Sequence, residues 1–283
     1  MPRLVVINAD DFGLAPGVNR GILEAHAAGT LSSTSMMVNT PAFIEAAALA
    51  RERAPRLGIG LHFNVLVGMP LTPASSLVDQ RTGQFFNLAQ LTRRAMTGKV
   101  TPADVRAECD AQLVALRAQG IVPTHLDSHR HAHALPGLLA PVLASALGAG
   151  VPIVRRPLDR PIRSEPMTSA KMLVLHSSWR WAAHGLEAAE RALVARSPSF
   201  RGIALQGRRD VERRLWTMLG ALPGGATEIM LHPGYDDATL AAQDPYRSER
   251  EREVRALTSA LIRERLARGD VQLVSFAELA RRA

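Results

Sequence analysis

The sequence predicts an α/β fold: a (β/α) barrel of about seven parallel strands, TIM-barrel-like and incompletely closed. Three observations predict it. Short apolar, β-rich runs alternate with longer helical segments along the whole chain, and repeated β–α units imply parallel strands joined by helical crossovers. No Pro/Gly/Ser-rich linker divides the 283 residues, so 1–283 reads as one domain. Acidic and histidine-rich clusters fall where the strands end, which is where functional groups gather in such barrels. An open doubly wound sheet is the competing arrangement and shares that last property.

Leu4–Asn8 is the first strand, followed by a helix from Pro16 to Ala28 that Gly29 stops. Ser35–Val38 and Leu57–Phe63 are the next strands, separated by a helix over Pro41–Arg53 with proline in its first turn. Asn64–Asn87 has little periodicity and several turn formers, and reads as a long, functional loop. Thr101 is the expected N-cap of a helix that Gly120 closes. Val122–Asp127, Val151–Arg155, Gly202–Gln206, Glu228–His232 and Val271–Phe276 complete the strands. Helices are expected before Gly148, from about Asp210, and as one charged segment over Ser248–Arg268.

Composition narrows the function classes. The net charge of +8 invites nucleic acid as a partner, but the charges are dispersed and mixed with acids, as in Arg247–Arg255, with no basic block. Nucleic acid is therefore not the expected partner. The one cysteine, Cys109, excludes an internal disulfide and fits a reducing compartment; its spacing from Val105 and Leu113 marks a buried helical side chain. Asp10 and Asp11 interrupt the N-terminal apolar run before it reaches signal-peptide length. Leu135–Val154 is uncharged and long enough to span a bilayer, but three prolines and three glycines make it a helix, turn and strand. The expectation is a cytoplasmic protein with no membrane span; the sequence leaves a homodimer open.

Four clusters carry chemistry. Asn8-Ala9-Asp10-Asp11-Phe12-Gly13 follows the first strand, and two adjacent carboxylates there can face different partners. His62 ends the strand of Gly60-Leu61-His62-Phe63; alone, such a histidine is more often a packed rim residue. The segment from His125 to His133 holds four histidines and Asp127 in nine positions, and imidazole is the commonest protein metal ligand. His232 opens a Pro233-Gly234 turn at another strand end, which would hold it at a fixed point on the rim. One carboxylate and two imidazoles can bind a divalent ion and leave positions for water and substrate. A second carboxylate can then act as base and another histidine as acid, the equipment for metal-assisted hydrolysis of an amide or ester. No Gly-x-Ser-x-Gly elbow, P-loop or well-placed Gly-x-Gly-x-x-Gly supports serine-hydrolase, NTPase or dinucleotide chemistry.

These motifs, with Thr124-His125-Leu126-Asp127-Ser128-His129-Arg130-His131-Ala132-His133 and Leu231-His232-Pro233, resemble the YdjC family of carbohydrate deacetylases, which includes the ChbG and HpnK branches. The resemblance runs from Arg3 to the final strand. It implies an irregular (β/α) barrel, an acetamido-sugar substrate, Asp11, His62 and His129 as metal ligands, and Asp10 as catalytic base. Magnesium is the ion it implies; two imidazoles suit a softer ion, which keeps zinc open. Arg155, in Val154-Arg155-Arg156-Pro157, matches a basic position near the site and is expected to bind substrate, with a structural salt bridge as the alternative. Asp127-Ser128-His129 is closer to the general or chitooligosaccharide branch. The unmatched segments Asn64–Asn87 and Leu158–Ser199 are expected to shape the substrate pocket. His232 is the expected acid for the leaving amine, with Asp127 or a neighbour orienting a metal ligand and His125, His131 and His133 outside the ligand set. The competing readings are hydrolysis of another ester or phosphoester, and a sugar-binding barrel without turnover.

Overall fold

The computed structural model describes residues 2–160 and 165–282. Its strands are β1 (Arg3–Phe12), β2 (Ser33–Met36), β3 (Gly58–Phe63), β4 (Leu126–Ser128), β5 (Ser199–Arg201), β6 (Gly225–Leu231) and β7 (Gln272–Leu273). They form one parallel sheet in the order β4-β3-β2-β1-β6-β5. β7 lies beside the start of β1, pairing Leu4 and Val5 on the edge that β2 takes over from Asn8.

The sheet curls into a half-barrel. Four strand-to-strand steps separate β4 from β6, about 19 Å in a flat sheet. Yet Asp127 on β4 and Glu228 on β6 both reach the Arg155 guanidinium at 2.6 Å. Only a strongly curled sheet brings them together, so the incomplete barrel describes the fold and the open doubly wound sheet does not. The seam lies between Val154 and β5. There Val151–Arg155, expected as a strand, makes one isolated bridge from Val154 to Leu126, and the Ser197 hydroxyl donates to the Val154 carbonyl.

Strand alternation sorts the side chains into two environments. Ile7, Ala9, Leu61, Phe63, Leu126, Ile229 and Leu231 join the main hydrophobic core with helix residues such as Val18 and Ile22. The opposite face is apolar only at its base, where Leu4, Val6, Ile153, Val274, Phe276 and Leu279 form a separate cluster. Above that plug it becomes polar, with Asn8, Asp10, Ser35, His62, Asp127 and Glu228 all buried. A polar interior over an apolar plug places the chemistry at the C-terminal ends of the strands.

Several boundaries differ from the sequence expectation. The strand expected over Gly202–Gln206 is Ser199–Arg201 instead: Gly202 adopts φ 136°, and Asp159 Oδ2 accepts the Gly202 and Ile203 amides at 3.0 and 3.1 Å, drawing the chain out of the sheet. The charged helix divides at Ser259, whose extended backbone (ψ 151°) ends Ser248–Thr258 and whose hydroxyl caps Ala260–Ala267. Thr101 occupies the cap position of Pro102–Ala118 without a side-chain cap hydrogen bond. Gly29 and Gly120, both at positive φ, follow their helices as expected. Cys109 is buried, and burial pushes its thiol well up. Leu139–Gly148 is a ten-residue helix, and no helix among the described residues is long and apolar enough to cross a membrane.

Candidate active site and metal centre

The first irregularity in β1 makes the site. Consecutive strand residues face opposite ways, so Asp10 and Asp11 would be separated by the sheet. The register with β2 shifts between Ala9 and Phe12, and Asp11 takes φ 71°, a conformation costing about 1–3 kcal/mol outside glycine. Both carboxylates then line one cavity of about 400 Å³. Arg130 and His131, at φ 50° and 56°, enter the same cavity wall, so the left-handed backbone recurs around it.

Asp11, His62 and His129 form a buried group whose candidate ligand atoms lie within 4.8 Å of one another. Asp11 Oδ1 is 3.2 Å from His62 Nε2 and 2.9 Å from His129 Nδ1. His62 Nδ1 lies 2.7 Å from Asp127 Oδ1, the carboxylate–histidine pairing that orients a metal-ligating imidazole and leaves Nε2 free to ligate. His62 Nε2 and His129 Nε2 are buried without a hydrogen-bond partner, as expected of nitrogens kept for an ion. The electrostatics agree. Burial would strip the proton from His62, yet Asp127 and Asp10 hold its pKa up at about 10, so this spot favours a positive charge. Burial raises the Asp11 carboxyl, but Arg250 and His129 hold it well below the usual range. These residues could hold a metal ion.

A second group, Asp10, His62 and Asp127, shares His62 with the first. Its cation is already present: Arg155 grips Asp10 through two bonds of 2.7 Å and lies 2.6 Å from Asp127 Oδ2. Its Nε donates to Glu228 Oε1 at 2.8 Å. Arg155 is 0% exposed and does not line the cavity, so the structure places this expected substrate contact beneath the site, in the salt-bridge arrangement that was its alternative. Asn8 Nδ2 adds a bond of 2.9 Å to Asp10 Oδ1 and donates equally to Ser35 Oγ, which in turn donates to Asp127 at 2.6 Å.

The remaining histidines separate cleanly. His125 sits under the ligands, its ring stacked on Phe276 at 3.9 Å and its Nε2 3.0 Å from Ser35 Oγ; a Cβ on Gly60 would meet that ring at 2.5 Å, so the position demands glycine. Burial lowers the His125 pKa to about 3 and that of His133 to about 4, leaving both neutral. His133 Nε2 is 2.9 Å from the Arg155 carbonyl. His131 lines the cavity, as does His232, whose backbone N–H donates to Glu253.

Glu228 yields a stability prediction. Burial pushes its carboxyl up to about 7 against Arg155, with Asp127 and Asp10 adding to the rise. A raised carboxyl contributes stability that is full below its ordinary value of 4.5 and is lost as pH climbs through about 7. Glu228→Gln mimics the protonated form and can still accept from Arg155. It should match the wild type near the acid end of that window and exceed it by up to about 3 kcal/mol above the window. Urea denaturation at both ends checks this; a gap that widens toward acid would reverse it.

Sequence reasoning missed Arg250, Asp244, Glu228, Tyr246 and Glu253. Arg250 is 0% exposed, donates to Asp11 Oδ2 at 2.7 Å and to Asp244 Oδ2 at 2.9 Å, and so leaves Asp11 Oδ1 to face the histidines. A signal existed: Val254 and Leu257 mark a buried helical stripe that extends back to Arg250 and Glu253. Of the two unmatched segments, Leu158–Ser199 supplies Lys171, from helix Pro166–Ala182, to the cavity; residues 161–164 lie outside the described residues. The Asn64–Asn87 loop supplies no lining residue, although Leu88 just beyond it does. Buried Glu108 holds that loop instead, accepting the Leu71 and Thr72 amides at 3.0 Å.

Comparison with known proteins agrees with this fold. The model of the YdjC-like protein family matches residues 4–268, and the chain belongs to that family. A carbohydrate deacetylase of Geobacillus stearothermophilus is 33% identical, over 98% of both chains. A chitooligosaccharide deacetylase of Enterobacter sp. is 32% identical, over 99% of this chain and 100% of its own. A crystal structure from Enterococcus faecalis V583, described as a candidate cellobiose-phosphate cleavage protein, superposes with a TM-score of 0.79 and 27% identity over 99% of both chains.

Proposed function

We propose that this protein is a metal-dependent carbohydrate deacetylase that hydrolyses the acetamido group of an N-acetylated sugar, a chitooligosaccharide or an N-acetylglucosaminyl conjugate. The observation that carries this reading is the pairing of the Asp11–His62–His129 group with a separate, arginine-held carboxylate, Asp10, in one cavity. Asp11, His62 and His129 would hold a divalent ion, magnesium or zinc, which would supply Lewis-acid polarisation of the acetyl oxygen and lower the pKa of a water. Asp10 takes the proton of the attacking water. Arg155 holds that carboxylate in place through its two-pronged grip. An amine is a poor leaving group, so its nitrogen must be protonated as the C–N bond breaks; His232, on the same cavity wall, is the donor.

A two-ion phosphoesterase is less well supported, because Arg155 already bridges the only other buried carboxylate–histidine group among the described residues. Acetate release from a panel of acetamido sugars, with and without chelator, tests the function; release that ignores chelation would sink the metal, and none on any sugar would sink the activity. His232→Ala should lower turnover about 10²–10⁴-fold on the amide and far less on an activated acetyl ester, whose leaving group needs no proton. Equal losses would make His232 a binding residue.

A further inference from the structure

His232 makes no side-chain hydrogen bond among the described residues, so its ring is oriented by packing and by its backbone tether. Both lead to one carboxylate. Glu253 is 2% exposed; its Oε2 accepts the His232 backbone N–H and its Oε1 accepts the Tyr246 hydroxyl. The Tyr246 oxygen accepts the Gly207 amide at 2.7 Å, and the Tyr246 ring meets the His232 imidazole edge-on, centroids 5.6 Å apart and planes at 65°. Three cavity-lining loops, carrying Gln206, His232 and Tyr246, are thus tied at one buried group. The Tyr246 backbone carbonyl also accepts Arg250 Nε at 2.8 Å, linking the same residue to the partner of Asp11.

We propose that Tyr246, anchored by Glu253, is the positioning residue for His232: its ring sets the imidazole angle from which a proton reaches the departing amine. The proposal rests on the reading of His232 as the acid. Tyr246 does not donate that proton itself, because burial and Glu253 push its hydroxyl well above the usual tyrosine range. What it contributes is geometry, and small misplacement of a proton donor is costly.

The test compares the metal-loaded wild type with Tyr246→Phe, Tyr246→Leu, His232→Ala and the His232→Ala/Tyr246→Phe double variant. Substrates are N,N′-diacetylchitobiose and p-nitrophenyl acetate; metal content and melting temperature are recorded for each. Tyr246→Phe keeps the ring and loses its anchor, so kcat on the amide should fall about tenfold with KM little changed, while ester hydrolysis stays within about twofold. Tyr246→Leu should approach His232→Ala on the amide alone. The double variant should lose no more than His232→Ala, since a ring that is absent needs no orientation. If His232→Ala is amide-selective and Tyr246→Phe matches the wild type, or loses both activities equally, the positioning role is overturned and the acid survives. If His232→Ala itself loses both activities equally, the acid reading fails and takes this proposal with it.

Discussion

Replacing His62 or His129 by alanine is expected to abolish metal binding and to cut deacetylation by at least about 10³-fold while the fold stays intact, since Lewis-acid stabilisation is worth several kcal/mol. Open catalytic zinc sites use three protein donors, and losing one of three weakens the hold on either candidate ion. The two variants stress different neighbours. His129→Ala removes an imidazole whose one hydrogen-bond contact in the group is Asp11 and whose ring meets His62 edge-on at 5.7 Å, so it tests ligation with little collateral change. His62→Ala also removes the Nδ1 partner of Asp127, whose other oxygen remains held by Ser35 and Arg155. Metal analysis and circular dichroism on both variants decide the matter. Unchanged metal content in both would remove Asp11, His62 and His129 as the ligand set.

Asp10→Asn should keep the metal and lose about 10²–10⁴-fold in turnover, the range for removing a general base. Asparagine preserves the shape and one acceptor oxygen but cannot take a proton from water. It also breaks half of the Arg155 grip, so some loss of stability accompanies it, and melting temperature must be read beside kcat. The prediction depends on Asp10 and Asp11 having different duties although they are adjacent. In the structure Asp11 faces both imidazoles and Asp10 faces a guanidinium. If Asp10→Asn loses its metal, that division is wrong and Asp10 belongs with the ligands.

Much of this was legible in the chain itself, for reasons that can be named. The β–α alternation is a local signal of side-chain period, and parallel strands follow from crossover length. The site clusters were visible because each occupies a few consecutive residues at a strand end, as Asp10-Asp11 and His129–His133 do. Strand edges were less legible: Gly202–Gln206 looks as β-like as Ser199–Arg201, and a remote carboxylate, Asp159, decides where pairing stops.

What only the tertiary structure decided is who faces whom. Arg155 reads from the sequence as a basic residue near a site, fit for substrate or salt bridge alike; its burial against Asp10, Asp127 and Glu228 depends on curling that brings β4 and β6 together. Arg250 lies 239 residues from Asp11 along the chain, in a helix whose other charges, Glu253 apart, are at least partly exposed. The sequence by itself determined the alternation of strands and helices and the candidate ligand types, because these follow from local period and residue chemistry. The pairing of charges across the half-barrel was left to the fold, because an ion pair is set by separation in space, and sheet curvature is a collective property that no single segment encodes.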